Sequence, residues 1–196
     1  VLLMAHTSKE GFSGYKNFVG DAITDMQNVL ERCMLTDQFD SQALVLKIER
    51  CDLMATISKQ ISLYPQEHFS LQLGPYSSVM IQADDQLLRI VLLNLLDNAI
   101  KYNAQGQAIE ISLDIVSDGK CKHARVRVAN APGMAGIPDP KKVFTKYYRE
   151  PRAHAKTGSG LGLYLIENIS SAMNGKLVYV PDADLVIFEL RLPLAS

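Results

Sequence analysis

The stretch LLNLLDNAIKY, residues 92–102, decides the fold prediction for this chain. Apolar residues, four of them leucines, fill most of its positions and predict a long helix that is buried on nearly every side. Asn94 and Asn98 interrupt the leucines and, being one helical turn apart, share one face. A carboxamide that is buried without a partner costs stability. The two asparagines therefore indicate either a polar site on that face or an ordinary helix whose asparagines face solvent.

The residue types on that face suit a phosphate with a bound cation. Carboxamide oxygens are neutral ligands for Mg²⁺, an ion that keeps most of its waters and shares phosphate oxygens. Lys101 and Tyr102 close the stretch. The lysine supplies a cation that pairs with phosphate, and the tyrosine supplies a flat ring. If the asparagines mark a site, we expect its ligand to carry phosphates and magnesium.

A second segment, GSGLGL at residues 158–163, has a glycine at every second position. Such a backbone can approach an anion closely, and the helix predicted to follow presents its free N–H groups and positive dipole end. The segment is not a P-loop, because no Lys-Ser or Lys-Thr follows the last glycine, and no strand leads directly into it as a dinucleotide-binding turn requires. The cations that neutralise a bound anion must therefore come from elsewhere in the chain.

The segment KKVFTKYYR, residues 141–149, is the predicted source of those cations. The planar fork of Arg149 matches phosphate geometry better than an ammonium does. The alternative is a solvated basic turn that buries Phe144. Between Arg149 and Gly158 lie Pro151, Ala153, Ala155 and Thr157, which offer little to bury, a composition typical of a mobile lid over a bound nucleotide.

Segments around these motifs predict an α+β fold. We expect a two-layer sandwich, one mixed sheet covered by helices, rather than a regular βαβ alternation. Strands 69–73 and 79–82 are expected to pair with each other around Gly74-Pro75. Asp84 or Asp85 is expected to cap the long helix, and Gly175 to end the last one. The predicted strands are 44–49, 69–73, 79–82, 108–116, 124–129, 176–180 and 186–192, and the predicted helices are 52–63, 84–102 and 160–174.

The first 42 residues follow a different pattern. Apolar residues from Tyr15 to Cys33 step by 4, 3, 4, 3 and 4, the seam of a helix that packs against other helices. Residues 6–14 indicate a loop and residues 1–5 the end of a preceding helix. We interpret residues 1–42 as a partial helical hairpin before a domain at 43–196. The alternative is a single amphipathic helix that lies on its own domain.

Composition excludes several classes of protein. The 196 residues carry a net charge of −1, which does not favour nucleic-acid binding, and 47% of them are hydrophobic, as in a globular chain. Three cysteines without a CxxC pair and four scattered histidines predict neither a disulfide framework nor a zinc site. No apolar run reaches the roughly 20 residues of a membrane span. Since the first residue is Val1, we expect the chain to be part of a longer protein.

In their order, the motifs resemble the catalytic, ATP-binding region of sensor histidine kinases, members of the GHKL superfamily. NLLDNAIKY (94–102) matches the N box, VFTKYYR (143–149) the F box, GSGLGL (158–163) the G2 box and FELRLP (188–193) the closing strand. The resemblance covers about residues 44–196 and implies a Bergerat-type fold with ATP and Mg²⁺ as cofactors. The heptad helix resembles the second helix of the family's dimerisation hairpin.

The resemblance also implies residue roles. Asn98 would hold magnesium and Asn94 would assist at the phosphates, with Asn94 and Arg149 as the catalytic residues. Lys101 would contact phosphate, Tyr102 would pack near the nucleoside, and Tyr148 would touch the base or sugar. The remaining nucleotide-binding residues would be Asn130, Gly136, Ile137, Gly158, Ser159, Gly160, Leu161, Gly162 and Leu163.

One departure from the family pattern lies in the G1 box. Asn130 stands where the family carries an aspartate that accepts a hydrogen bond from the adenine amino group. Its carbonyl still accepts, but without charge assistance, which we expect to weaken binding by about 1 kcal/mol. Either Gly133 or Gly136 could be the glycine of this box, and Gly136-Ile137-Pro138 is favoured.

A second departure concerns the phosphoacceptor. His6 is followed by TSKEG, which is not the family's H box, so we expect the accepting histidine to precede Val1. The chain is then expected to bind Mg-ATP without phosphorylating itself. The resemblance further implies a homodimer through the hairpin and phosphoryl relay from that histidine to the aspartate of a response regulator receiver domain. It implies a cytoplasmic domain, with attachment to the bacterial inner membrane only through missing parts of the parent.

Three other functions stay open at this point. A serine kinase of the anti-sigma-factor type is disfavoured by the heptad helix, and a degenerate nucleotide-binding or dimerisation module is disfavoured by the intact N and G2 boxes. A chaperone- or gyrase-type ATPase would carry a glutamate at the position of Asn94. Asparagine is a poor base, so we expect slow hydrolysis, which Asn94→Glu should raise in an ATPase assay.

Overall fold

The described residues form four α-helices, one short 3-10 helix (Pro151–Ala153) and seven strands. The structure is a computed structural model that describes residues 26–27, 29–41, 43–119, 121–153 and 158–195. The elements are α1 (residues 29–40), β1 (Glu49–Asp52), α2 (Leu53–Ile61), β2 (Phe69–Gln72), β3 (Met80–Ala83), α3 (Asp85–Tyr102), β4 (Ile109–Asp118), β5 (Cys121–Asn130), α4 (Gly162–Ala172), β6 (Lys176–Val180) and β7 (Val186–Pro193).

Five strands form one mixed sheet in the order β2-β4-β5-β7-β6. β2 runs parallel to β4, and the other neighbours are antiparallel. Alternate residues of β4 and β5, such as Ile111 and Val126, are almost fully buried, as expected of a sheet with one covered face. Helix α3 packs against β5, α4 packs against β6, and the two helices contact each other. This arrangement confirms the predicted α+β fold, a mixed sheet covered by helices.

Helix α3 begins and ends close to its predicted bounds. Asp84 is its N-cap, and its carboxylate accepts from the backbone N–H groups of Gln86 and Leu87, both at 3.1 Å. The backbone N–H of Lys47 donates to the other oxygen of Asp84 at 2.9 Å. The capping aspartate therefore also fixes the chain that leads into β1. The apolar face of α3 is buried in the core.

The predicted pairing of strands 69–73 and 79–82 is wrong. β2 instead pairs with β4, and β3 pairs with β1 in a separate two-stranded sheet. Alternating hydrophobicity predicts strands but not partners. Here the β1–β3 pair is fixed where α2 begins, because Leu53 N–H donates to the carbonyl of Val79 at 2.9 Å. The strand predicted at 44–49 is also misplaced, since residues 43–48 are irregular and β1 begins at Glu49.

The end of α4 differs from its prediction in the residue that turns the chain. Asn174, not Gly175, adopts the left-handed conformation, with φ of 56°. Asparagine tolerates this region better than most residues. Gly175 instead allows the chain to pass close to β7, because a Cβ there would lie 2.5 Å from the carbonyl oxygen of Arg191.

Helix α1 lies against the domain that follows it. Leu35 and Phe39 pack on the core and Thr36 is buried, while Leu30 and Met34 are more than 60% exposed. The predicted loop at 6–14, the preceding helix end and the first part of the heptad seam lie outside the described residues. Among the residues that the structure describes, no helix is long and apolar enough to cross a bilayer.

Candidate functional site

A cavity of about 460 Å³ opens between α3, α4, the end of β5 and the segment that follows β5. Its volume is in the range of small-molecule and cofactor pockets. The polar residues that line it are Arg32, Asn94, Asp97, Asn98, Lys101, Tyr102, Asn130, Tyr148, Arg149, Glu150 and Ser159. The apolar and glycine residues that line it are Val29, Ala135, Gly136, Pro138, Val143, Gly158, Gly160, Gly162, Leu163, Val186 and Phe188.

Asn94 is held in one orientation inside α3. The side chain is 5% exposed, and its Nδ2 donates to the carbonyl of Ile90 at 2.8 Å. The oxygen, Oδ1, is directed to the start of α4, since a Cβ on Gly162 would lie 2.9 Å from it. Glycine at 162 thus allows the acceptor oxygen of Asn94 to lie beside the first turn of α4.

The N-terminus of α4 borders this end of the cavity without a side-chain cap. Leu161 is the N-cap residue, and its side chain makes no capping hydrogen bond to the first-turn N–H groups. Such N–H groups and the positive end of the helix dipole attract anions. Lys101 lies close by, because its Nζ would be 2.9 Å from a Cβ on Gly158. The uncapped start of α4, the ammonium of Lys101 and the carboxamide oxygen of Asn94 therefore all border the cavity, and we call the part that they line the phosphate end.

Each glycine of the GSGLGL segment meets a different neighbour. Gly158 meets Lys101 and Gly162 meets Asn94, as described above. Gly160 has φ of +71°, and a Cβ there would lie 2.7 Å from the backbone of Tyr147. The N–H of Tyr147 donates to the carbonyl of Gly160 at 3.0 Å. The alternating glycines are thus explained by three separate close approaches. Residues 154–157 of the predicted lid lie outside the described residues.

Tyr148 fixes the segment that follows β5. Its hydroxyl accepts from the backbone N–H of Asp139 at 3.1 Å and donates to Glu150 at 2.8 Å. Burial raises the pKa of Tyr148, and the bond to Glu150 acts in the same direction, so the hydroxyl stays protonated and keeps donating. Burial also raises the pKa of Tyr102, while the positive charge of Arg149 opposes that shift.

Another part of the cavity lining, which we call the base end, is mainly apolar. Val186 and Phe188 of β7 and Val143 line it. Asn130 is the polar residue at the end of β5 and is 3% exposed. Its Nδ2 donates to the carbonyl of Ala131 at 3.0 Å, so Oδ1 remains the group that can accept from a ligand.

The structure separates the roles of the two candidate glycines after β5. Gly136 lines the cavity with φ of +72°. Gly133 instead packs on the end of α3, where its N–H donates to the carbonyl of Tyr102 at 2.8 Å. A Cβ on Gly133 would lie 2.9 Å from the carbonyl oxygen of Asn103. Gly136, the glycine favoured from the sequence, is therefore the one at the cavity.

Most of the predicted site residues come together in this cavity. Ile137 and Leu161 are not among its lining residues: Ile137 is 38% exposed beside it, and Leu161 is 3% exposed in the core. Sequence reasoning missed Arg32, Asp97, Glu150, Val186 and Phe188, which also line the cavity. Asp97 lies within the quoted LLNLLDNAIKY stretch, so its position one residue before Asn98 was an available signal.

Comparison with known proteins assigns the family. Residues 83–196 match the family described as histidine kinase-, DNA gyrase B- and HSP90-like ATPases. The chain belongs to this ATPase family. The matched residues include α3, α4 and the base end of the cavity, and the match confirms the resemblance drawn from the N, F and G2 boxes.

Similar curated proteins are sensor kinases. Over 168 residues the chain is 29% identical to the swarming motility regulation sensor protein RssA of Serratia marcescens, covering 80% of this chain and 35% of that protein. Over 155 residues it is 26% identical to the sensor protein kinase PmrB of Pseudomonas aeruginosa, covering 77% and 31%. The chain thus spans about a third of the length of these relatives, 35% and 31% respectively.

Solved structures share its fold. The histidine kinase AdeS of Acinetobacter baumannii superposes with a TM-score of 0.71 at 20% identity, covering 96% of this chain and 86% of that one. Full-length ShkA, solved in complex with AMPPNP, gives 0.74 at 19% identity, covering 96% and 40%. Residues 83–196 thus form a histidine kinase-, DNA gyrase B- and HSP90-like ATPase domain, and the relatives and solved structures that it resembles are sensor proteins and histidine kinases.

Proposed function

We propose that this ATPase domain binds Mg-ATP in the cavity and transfers the γ-phosphate to a histidine of a dimerisation domain. The phosphoryl group then passes to the aspartate of a response regulator receiver domain. The observation that carries the proposal is the phosphate end, where Asn94, the uncapped start of α4 and Lys101 line one cavity. These groups match the needs of phosphoryl transfer, which are positioning and charge neutralisation.

The cavity orients the nucleotide by its two unlike ends. The triphosphate would lie at the phosphate end with Lys101, Arg149 and the α4 N-terminus. The adenine would lie at the base end, where Asn130 Oδ1 can accept from its amino group and the apolar side chains of β7 exclude water. Asn94 has no proton-accepting group of useful basicity, so we expect it to position the phosphates rather than activate water.

The carboxamide oxygens fit a magnesium ion that is bound together with phosphates. In the part of the chain that the structure describes, no group of three histidine, cysteine, aspartate or glutamate residues could hold a metal alone. Asn98 lines the cavity. In Asn94 it is Nδ2 that donates to the backbone, which leaves the role of a ligand to Oδ1. Asn98, with Asn94 beside it, would hold Mg²⁺, which supplies charge neutralisation at the phosphates when bound.

The exposed face of α1 supports a dimerisation role. Leu30 and Met34 are spaced by four residues on α1, and each is more than 60% exposed, as is Met26 before α1. Large apolar side chains in such a row favour burial against another helix. We therefore propose that residues 1–42 belong to a helical hairpin that forms a homodimer, and that residues 43–196 form the catalytic domain. Attachment of the parent protein to the bacterial inner membrane is part of the same proposal.

Titration calorimetry with ATP tests the nucleotide site. We expect binding in the presence of Mg²⁺, and we expect Asn98→Ala to weaken it by roughly tenfold, about 1.4 kcal/mol. Asn168→Ala is the matched control, because Asn168 lies on α4 outside the cavity lining and its Nδ2 donates to the carbonyl of Tyr164 in the same helix. With EDTA present, Asn98→Ala and the unaltered chain should bind alike. Absence of binding, or an equal loss with and without Mg²⁺, would contradict the assignment.

A further inference from the structure

Arg32 of α1 reaches the phosphate end of the cavity from outside the matched family segment. Resting on the proposed function, we propose that Arg32 is a further phosphate-binding residue: it exchanges a weak ion pair with Asp97 for the terminal phosphate of the bound nucleotide. Neither the sequence motifs nor the family match at residues 83–196 includes this arginine.

The position of Arg32 is defined by its neighbours. Its side chain lines the cavity, and its Nη1 would lie 3.9 Å from a Cβ on Gly162. The same point is 2.9 Å from Asn94 Oδ1. The guanidinium is therefore beside the first turn of α4 and the carboxamide oxygen, which are the groups expected to surround the phosphates.

Helix α1 is braced in this position through a second set of contacts. Asp40, two turns beyond Arg32, pairs with Lys146 at 2.5 Å and accepts from the hydroxyl of Tyr164 at 3.1 Å. Tyr164 lies in the first turn of α4, and Lys146 Nζ is 4.8 Å from the centre of its ring. Because Leu35 also packs on the core, α1 is held against the same helix whose N-terminus borders the cavity.

The pair between Arg32 and Asp97 is suited to exchange. Its closest atoms, Nη2 and Oδ2, are 3.6 Å apart, and the Asp97 side chain is 47% exposed. A partly exposed pair beyond hydrogen-bond distance contributes little to stability. A phosphate offers the guanidinium two short, charge-assisted hydrogen bonds instead.

Asp97 keeps a hydrogen bond when Arg32 moves away. Its Oδ1 accepts from the hydroxyl of Tyr64 at 2.5 Å. Burial raises the pKa of Tyr64, and the bond to Asp97 acts in the same direction, so Tyr64 remains a protonated donor. Tyr64 therefore satisfies the carboxylate on the side away from Arg32, and the exchange leaves no carboxylate without a partner.

The proposal predicts a preference for the triphosphate that depends on Arg32. In calorimetric titrations, Arg32→Ala should weaken Mg-ATP binding by roughly tenfold and Mg-ADP binding by less than about twofold, because only the terminal phosphate loses its partner. Arg32→Lys keeps the charge but not the planar fork, and we expect an intermediate loss for Mg-ATP alone. Arg50→Ala, an exposed arginine on β1 outside the cavity, is the control and should change neither affinity.

The outcomes separate this inference from the proposed function. An unaltered chain that binds neither nucleotide would overturn the proposed function. An unaltered chain that binds both, with Arg32→Ala and Arg32→Lys each weakening Mg-ATP and Mg-ADP equally, would show that Arg32 only supports the packing of α1 and would overturn the inference. Unchanged affinities in both variants would overturn it as well.

Discussion

The two ends of the cavity are built by different means. At the phosphate end, the backbone and three close-packed glycines fix the positions of the polar groups, and a Cβ on any of the three would meet another group within 3 Å. At the base end, side chains of β7 form an apolar wall, and Asn130 adds one polar carboxamide beside it. The phosphate end therefore depends on geometry that most substitutions destroy, whereas the base end depends on contacts that can be lost one at a time.

The largest expected effect comes from a methyl group placed at Gly160. The Cβ of Gly160→Ala would meet the backbone of Tyr147, which cannot rotate away, and the positive φ adds strain. We expect the GSGLGL segment to shift and Mg-ATP affinity to fall by roughly a hundredfold, about 2.7 kcal/mol. Calorimetric titration measures this loss.

Gly106→Ala is the matched control for that substitution. Gly106 has φ of +78°, and a Cβ there would meet nothing within 4 Å. Both variants should lose about 1 kcal/mol of stability from the strained φ, which thermal unfolding measures, but only Gly160→Ala should lose nucleotide affinity. Equal effects of the two variants on affinity would show that the close approach to Tyr147 does not shape the phosphate end.

The phosphate end was also the part of the site that the sequence predicted best, because its signals are local. Asn94 and Asn98 share a helical face by spacing alone, and alternating glycines before a helix indicate a close backbone approach. The same local reasoning included Leu161, whose side chain is buried in the core. The alternation of glycines within the segment predicts which backbone positions lie close to a neighbouring group. It does not predict which side chains point into the core rather than into the cavity.

The base end and Arg32 depend on tertiary structure that the sequence pattern does not contain. Phe188 lines the cavity because β7 pairs with β5 in a register that places Phe188 opposite Val128. The alternation of apolar and polar residues in a strand does not determine which strand it pairs with. For the same reason, the sequence led to the wrong prediction that β2 and β3 pair with each other. Arg32 was hidden because its helix was interpreted by its apolar seam, whereas the cavity contact is made by a charged residue between seam positions.

The second largest expected effect, that of Lys101→Ala, separates the phosphate end from the base end, because it should differ between Mg-ATP and adenosine. Lys101→Ala removes the ammonium beside Gly158, and we expect Mg-ATP affinity to fall by roughly thirtyfold, about 2 kcal/mol for a charge-assisted hydrogen bond. Adenosine, which lacks phosphates, should bind both chains equally. Lys142→Ala is the control, since the Lys142 side chain is 64% exposed and pairs with Asp139 outside the cavity. Loss of adenosine binding would instead place Lys101 near the base.

The smallest effect is expected at the base end, from Asn130→Ala. The variant removes the Oδ1 acceptor and the bond from Nδ2 to Ala131, and leaves the apolar wall in place. One neutral hydrogen bond corresponds to about 1 kcal/mol, so we expect adenosine and Mg-ATP to lose the same factor, about fivefold. This equality is the reverse of the Lys101→Ala result and follows because the base is common to both ligands. If Asn130→Ala weakened Mg-ATP but not adenosine, Asn130 would act on the phosphates, and the nucleotide orientation proposed for the cavity would have to be reversed.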